Sequence, residues 1–252
     1  MRILSIDSSL GTQLAVVDAA PSAAGARALQ VLSQDEQADT RRHAESLGQM
    51  LSQALSAPEA AERPLDAVVA ATGPAPFTGL RAGLVTAGVV GRTRGVPVHG
   101  VSSLDAVARR ALDELGSHEG QTEPVVLVAT DARRREVYTA LFRANGPDDV
   151  TRLTEIIVCP PAQVAQRLAE QAPGPGGGSG GIDVVAGSGA SLYPELAEMA
   201  SYQKALAPVS GDALTQVRIA LARLERGEEL STQPLYLRHA DVQMPAARKR
   251  VR

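Results

Sequence analysis

Apolar positions at the head of the chain come in short blocks and only later settle into helical spacing. Residues 3–6, 14–17 and 29–33 are β-type runs. They are separated by Asp7-Ser8-Ser9-Leu10-Gly11-Thr12 and by a Pro/Ala/Gly-rich turn, and they predict an antiparallel meander. Residues 43–55 then place Ala44, Leu47, Met50, Leu51, Ala54 and Leu55 three and four apart, which predicts a helix with Thr40 as its candidate cap. A buried strand over 65–71, a helix over 78–93 capped by Thr78, a strand over 96–101 and a helix over 103–115 complete the first half.

Past a polar stretch around 117–123 the pattern starts again. Strands over 125–130, 137–142 and 153–158, a helix over 161–170, a strand over 182–186 and helical segments to about residue 226 repeat the order βββαβα. Asp7 closes the first strand of one copy and Asp131 that of the other, and VVAATG at 68–73 is answered by VVAGSG at 184–189. The expected fold is a duplicated α/β structure of two subdomains, 1–104 and 105–252. The second carries a glycine-rich insertion at 172–181, a basic tail at 239–252, and a helix at 210–226 expected to pack back on the first subdomain.

The helix over 78–93 is unusual. Gly79, Gly83, Ala87 and Gly91 fall four apart and form a ridge without bulk, with Gly88 a fourth glycine. Each glycine costs roughly 0.8–1 kcal/mol relative to alanine, so the four forfeit about 3–4 kcal/mol. A backbone lying close against the ridge is the simplest compensation. At about 100° per residue, Leu80, Leu84 and Ala87 share one side, and Ala82, Val85 and Val89 lie nearly opposite. Such a helix is buried on two sides, either sandwiched inside one domain or shared between its own domain and a second chain.

Composition narrows the function. Aromatics are 2% of the 252 residues, so the core is aliphatic, and the net charge of −3 gives no general pull toward nucleic acid. Cys159 is the single cysteine, set in an apolar run as a packing residue, which excludes a disulfide within the chain. The polar start MRILSIDSS and the lack of a run of about 18 apolar residues predict a cytoplasmic protein without a membrane segment. Gly177-Gly178-Ser179-Gly180-Gly181 fits the G-x-S-x-G pattern but lacks the strand and helix that motif needs.

Candidate chemistry lies at the strand ends. Asp7, Ser8 and Ser9, with Asp131 in the second copy, are placed to hold a nucleotide's phosphates and metal between the halves, and Gly187, Ser188 and Gly189 would let a nucleoside approach the backbone. The alternative is that all are ordinary turn residues. A P-loop lysine is absent, and the four histidines, His43, His99, His118 and His239, form no i, i+4 pair. A catalytic zinc or iron site on the helix at 43–55 is therefore not expected.

Six segments carry a resemblance: MRILSIDSS at 1–9, RHAESL at 42–47, GPAPFTGLRAG at 73–83, GVSSL at 100–104, DARRREVY at 131–138 and PLYLR at 234–238. Together they resemble the TsaB (YeaZ) family over nearly the whole chain, with Ala75-Pro76 where that family tends to have Gly-Ser. The resemblance implies an actin-like, sugar-kinase-like (ribonuclease H-like) ATPase fold. It also implies a subunit of the machinery that puts threonylcarbamoyl on N6 of the adenosine beside the tRNA anticodon.

In that family the catalytic partner, TsaD, carries a metal-binding His-x-x-x-His, and His43 followed by Leu47 lacks it. The chain is thus expected to be a non-catalytic dimerisation scaffold. Its partners would be a TsaD-like subunit and a TsaE-like small ATPase, with a homodimer in their absence and tRNA met only indirectly. The implied interface takes His43, Leu47, Met50, Leu51, Gly79, Leu80, Gly83, Ala87, Val90 and Gly91 from the first two helices. No cofactor is required, with ATP or ADP and magnesium held, if at all, at a shared interface. The alternatives are an ATP-dependent small-molecule kinase of the same fold and, further off, a peptidase.

Overall fold

Two sheets of the same strand order face each other across a pair of exchanged helices. The structure, a computed structural model, describes residues 1–20, 26–38, 43–115, 124–171, 181–201, 205–206 and 212–237. The antiparallel meander β1 (Arg2–Asp7), β2 (Thr12–Ala19) and β3 (Leu29–Gln37) leads to α1 (His43–Ser56) and the short α2 (Pro58–Ala61). β4 (Ala67–Ala71), α3 (Phe77–Arg94), β5 (Val98–Val101) and α4 (Ser103–Leu115) follow. β4 runs parallel to β1 and β5 parallel to β4, so the first sheet reads β3-β2-β1-β4-β5.

The second half supplies β6 (Val126–Asp131), β7 (Val137–Asn145), β8 (Asp149–Arg152), β9 (Ile157–Cys159) and α5 (Val164–Gln171). After these come β10 (Val184–Ala186), α6 (Ser188–Leu192), α7 (Pro194–Ala197), β11 (Ala205–Leu206) and α8 (Ala213–Glu225). Its sheet, β8-β7-β6-β10-β11 with β9 also on β7, repeats the first strand for strand. This is the duplicated actin-like, sugar-kinase-like architecture. No described helix is long and apolar enough to cross a membrane.

Two-residue alternation on the strands sets the layers. On the first sheet Leu4, Ile6, Leu14, Val16, Val68 and Ala70 point toward α1 and α3, while Ile3, Ala15, Val17, Ala67 and Val69 point toward α8. On the second sheet Val126, Val128, Ala140 and Phe142 meet α4, and Leu127, Ala129, Leu141 and Val185 meet the layer containing α5 to α7. Thus α4, which follows the first sheet, packs on the second, and α8, which follows the second, packs on the first.

Buried ion pairs tie this crossing. Arg223 of α8 reaches Asp105 of α4 and Asp149 of β8, each at 2.9 Å. Arg226 also meets Asp149, and Arg218 bonds Asp148 at 2.8 Å. Asp105 and Asp149 are almost wholly buried.

Several expected boundaries move. The strand expected over 153–158 is instead β8 and β9 with a break between them, where the Thr154 hydroxyl accepts the Leu141 N–H at 3.0 Å. β8 opens on Asp149, a residue type depleted in strands, which the arginines of α8 hold in place. β4 and β5 begin two residues later than expected, after Leu65-Asp66 and Val96-Pro97, and the single-turn α2 was not expected. Thr78 is not the cap of α3: the helix starts one residue earlier, with Pro76 at the N-cap position and no side-chain cap. Thr40, the basic tail, most of the glycine-rich insertion, His118 and His239 lie outside the described residues.

Candidate functional site

Duplication brings the ends of β1 and β6 to one cleft between the sheets. Ser9, Leu10, Pro74, Ala75, Pro76, Ser103, Val107, Thr130, Asp131 and Ser188 line it. Of the seven residues expected at a nucleotide, only Ser9, Asp131 and Ser188 reach this wall. The cavity has a volume of about 20 Å³, room for a water, whereas ligand pockets run to roughly 300–1,000 Å³.

The other four serve the fold. Asp7 is sealed beneath the cleft: its carboxylate accepts the Ser9 N–H at 2.7 Å and the Gln216 side-chain N–H of α8 at 2.7 Å. Burial pushes its pKa up to about 6, with the Asp212 charge adding to the rise and the Ser9 and Gln216 bonds opposing it. Ser8 donates to the Gly79 carbonyl at 2.8 Å. Gly187, at φ +102°, and Gly189 lie against β6. A side chain on either would stand 2.4 or 2.9 Å from the Ala129 carbonyl oxygen, so their bareness admits the backbone of β6.

The β6–β7 turn is the strained part of the cleft rim. Asp131 accepts the Arg133 N–H at 2.8 Å and pairs with its guanidinium at 3.2 Å, while the Asp131 N–H donates to Ser188 Oγ at 2.9 Å. Arg133, Arg134 and Arg135 follow one another at φ 62°, 56° and 60°. The left-handed region costs a residue with a Cβ about 1–2 kcal/mol, and sequence patterning gave no signal of it.

The glycine ridge of α3 is covered by its own domain. Gly79, Leu80, Gly83, Ala87, Val90 and Gly91 are all buried. A side chain on Gly83 would stand 2.2 Å from Ser8 Oγ, and one on Gly91 2.3 Å from a Val98 methyl. What lies against the ridge is therefore the protein's own sheet, chiefly the side chains of Ser8 and Ile6 at Gly83 and of Val98 at Gly91. Leu47 and Met50 of α1 are likewise buried, and Leu51 packs on the same core. The side chain of His43 lies outside the described residues.

The opposite stripe is open. Phe77, Arg81, Val85 and Val89 fall four apart along the outer face of α3, with Phe77 44%, Val85 65% and Val89 55% exposed. Gly88 lies between them, and a methyl there would meet nothing within 4 Å. The segment 228–237 runs back past β5, where Leu230 accepts the Gly100 N–H at 3.2 Å and Leu235 donates to Thr72 at 2.9 Å. It delivers Tyr236 to this stripe. Arg81 lies 3.6 Å above the Phe77 ring and donates from Nε to the Tyr236 hydroxyl at 2.8 Å, and the two rings stand 5.1 Å apart. Phe77 and Tyr236 were missed as surface residues although their segments, GPAPFTGLRAG and PLYLR, were singled out; nothing local shows that the two segments meet.

Nothing here resembles a prepared nucleophile or metal centre. Burial raises the Cys159 thiol and lowers His99. Among the described residues no three His, Cys, Asp or Glu side chains are grouped to hold a metal.

Comparison with known proteins adds a family and a fold. Residues 30–173 match the family model described as TsaD: tRNA N6-adenosine threonylcarbamoyltransferase. An uncharacterized Mycobacterium tuberculosis protein is 45% identical over 123 residues, 47% of this chain and 53% of that protein. An uncharacterized Mycobacterium leprae protein is 40% identical over 140 residues, 56% of this chain and 36% of that protein. The chain spans about half the length of the Mycobacterium tuberculosis relative it matches, and less of the other.

Among solved structures, a Pseudomonas aeruginosa protein described as similar to peptidase YeaZ superposes with TM-score 0.69 at 24% identity. YeaZ from Pseudomonas aeruginosa superposes with TM-score 0.65 at 23% identity. Both alignments cover 94% of this chain and 99% of the other. At such identities the likeness is one of fold.

Proposed function

We propose that this chain, which belongs to the TsaD (tRNA N6-adenosine threonylcarbamoyltransferase) family, is a TsaB-like pairing subunit of a tRNA-modifying assembly and leaves the chemistry to a TsaD-like partner. The observation that carries the reading is the outer stripe of α3. Phe77, Arg81, Val85 and Val89, joined by Tyr236, bring together four of the nine large exposed apolar side chains of the described residues, in a chain with only two Phe and four Tyr. Exposed aromatics and arginine grouped this way are what interface centres are made of, and a contiguous apolar stripe calls for a cover.

The cleft supports the division of labour. A carboxyl at the end of β1 that is enclosed and hydrogen-bonded to Ser9 and Gln216 is engaged in the fold, which supports a structural role for it. The kinase reading would need Asp7 in the cavity and a far larger cavity. Any ATP or ADP with magnesium is then held at the shared interface, and a TsaE-like ATPase acts on the pair. In the partner's absence the same stripe pairs two copies of this chain.

Reconstitution tests the reading. With unmodified tRNA, threonylcarbamoyl-adenylate and the TsaD-like partner, modification is expected only when this chain is added, and Asp7→Asn is expected to support it at the wild-type rate. Modification by the partner alone at the full rate, or loss of the effect in Asp7→Asn with the fold intact, would contradict it.

A further inference from the structure

The outer stripe of α3 has a sign of charge as well as a shape. The helix, FTGLRAGLVTAGVVGRTR, holds three arginines and no acidic residue, in a chain whose net charge is −3. Arg81 and Arg92 are three turns apart, so at about 100° per residue they share one face to within about 20°. Roughly 16 Å of helix axis separates them. Val85, Gly88 and Val89 lie between them on that face, and all five residues are exposed. A cation in the last turn complements the helix dipole. That accounts for Arg94, which is turned to another side, and in part for Arg92, but not for Arg81 near the opposite end.

Elsewhere this chain gives its arginines carboxylates: Arg63 has Asp18 and Asp66, Arg152 has Asp105, and Arg223 has Asp105 and Asp149. Arg81 is instead engaged by neutral groups, the face of the Phe77 ring and the Tyr236 hydroxyl. Among the described residues neither Arg81 nor Arg92 has a carboxylate within ion-pair distance. The ring and the hydroxyl hold Arg81 in place, so little side-chain freedom is lost when a second molecule meets it. Its Nε supplies one of five guanidinium donors to Tyr236, and a carboxylate fits the forked remainder.

Three occupants can be weighed against this face. A second copy would set α3 against α3, bringing arginine over arginine with no acid on either helix, and like charges oppose such a contact. Nucleic acid would take the arginines, but its interfaces are polar and strongly cationic, which leaves Val85 and Val89 without a reason. A protein face answers both parts. Gly88 agrees with it, since a methyl there would meet nothing within 4 Å and the bare position lets another surface come close.

We infer that the surface covering the outer stripe of α3 is an acidic protein face, with an apolar centre over Val85 and Val89, one carboxylate for Arg81 and another for Arg92. The inference rests on the pairing reading above and specifies the partner's chemistry. Charge draws the two different chains together and holds two copies of this one apart.

Titration calorimetry of the full chain with the proposed TsaD-like partner tests it, at about 50 mM and about 500 mM salt, where screening differs most. The wild-type complex is expected to be about tenfold weaker at high salt, while self-association, by sedimentation in the same buffers, is unchanged or stronger. Arg81→Gln/Arg92→Gln is expected to bind the partner at least about tenfold more weakly at low salt, with a shallower salt dependence and a melting temperature within a few degrees of wild type. Arg92→Gln alone, at an exposed position, is expected to show a smaller loss of the same kind, and Tyr236→Phe, which keeps both charges, to retain the full salt dependence. Equal wild-type affinity at the two salts, or wild-type affinity in the double variant, would overturn the acidic face and leave the pairing reading standing. A double variant that keeps the partner and loses binding to a tRNA transcript would give the arginines to RNA and overturn it as well. No complex with the wild type at either salt would sink the pairing reading and this inference with it.

Discussion

Asp7 is a carboxyl held at about 6 against an ordinary 3.8, and burial is the main cause. That gap favours the neutral form in the fold by about 3 kcal/mol. Because the folded value lies above the unfolded one, this stabilisation is fully present below 3.8 and is lost as pH rises through about 6. Asp7→Asn removes the ionisation and keeps the shape. Its stability relative to wild type, from denaturant unfolding, is expected to rise by about 2–3 kcal/mol between about pH 4 and about pH 7.5. A flat difference would mean that the carboxyl meets solvent, as an acid working on a nucleotide must. Ser8 is committed in the same way, its hydroxyl spent on the Gly79 carbonyl.

On α3, two glycines of the same helix have opposite surroundings. A methyl on Gly83 would enter the space of Ser8 Oγ, while one on Gly88 would meet nothing. Gly83→Ala is expected to destabilise the chain by about 1–3 kcal/mol through overpacking, and Gly83→Leu by more. Gly83→Leu is thus a folding variant and cannot serve as a selective probe of association. Gly88→Ala is expected to stabilise the helix by about 0.8–1 kcal/mol, and Gly88→Leu to weaken pairing while leaving the fold sound. Thermal melts of the four variants check this; equal effects at the two positions would contradict the assignment of inner and outer faces.

The sequence made the helix, its period and its two apolar flanks legible, because side-chain spacing is a local property. Which flank the sheet takes is a long-range matter, decided by Ser8 far back in the chain as well as by nearby Val98, and the glycine ridge went to the side first reserved for a partner. The same limit hid Gln216 above Asp7, Tyr236 beside Phe77, and β8, whose acidic start reads as loop until the arginines of α8 are in place. The order of elements in the duplication was legible because each copy repeats the same alternation.

Over the whole molecule, the exchange of α4 and α8 makes the two sheets one unfolding unit. Asp105 and Asp149 are buried under Arg223, and removing one partner of a buried pair strands the other charge, at a cost of about 3–5 kcal/mol. Asp105→Ala is expected to lose that much in denaturant unfolding and to melt, like the wild type, in a single calorimetric transition. Two separate transitions in the wild type would show that the crossing does not couple the halves.

Among the described residues, the outer stripe of α3 is the surface to which pairing is assigned. The mass in solution of this chain mixed with the proposed TsaD-like partner, by light scattering, tests that most directly. The account predicts a complex with the wild type and separate components with Val85→Asp/Val89→Asp, whose own melting temperature stays close to wild type. A complex of unchanged mass and affinity with that variant would contradict it.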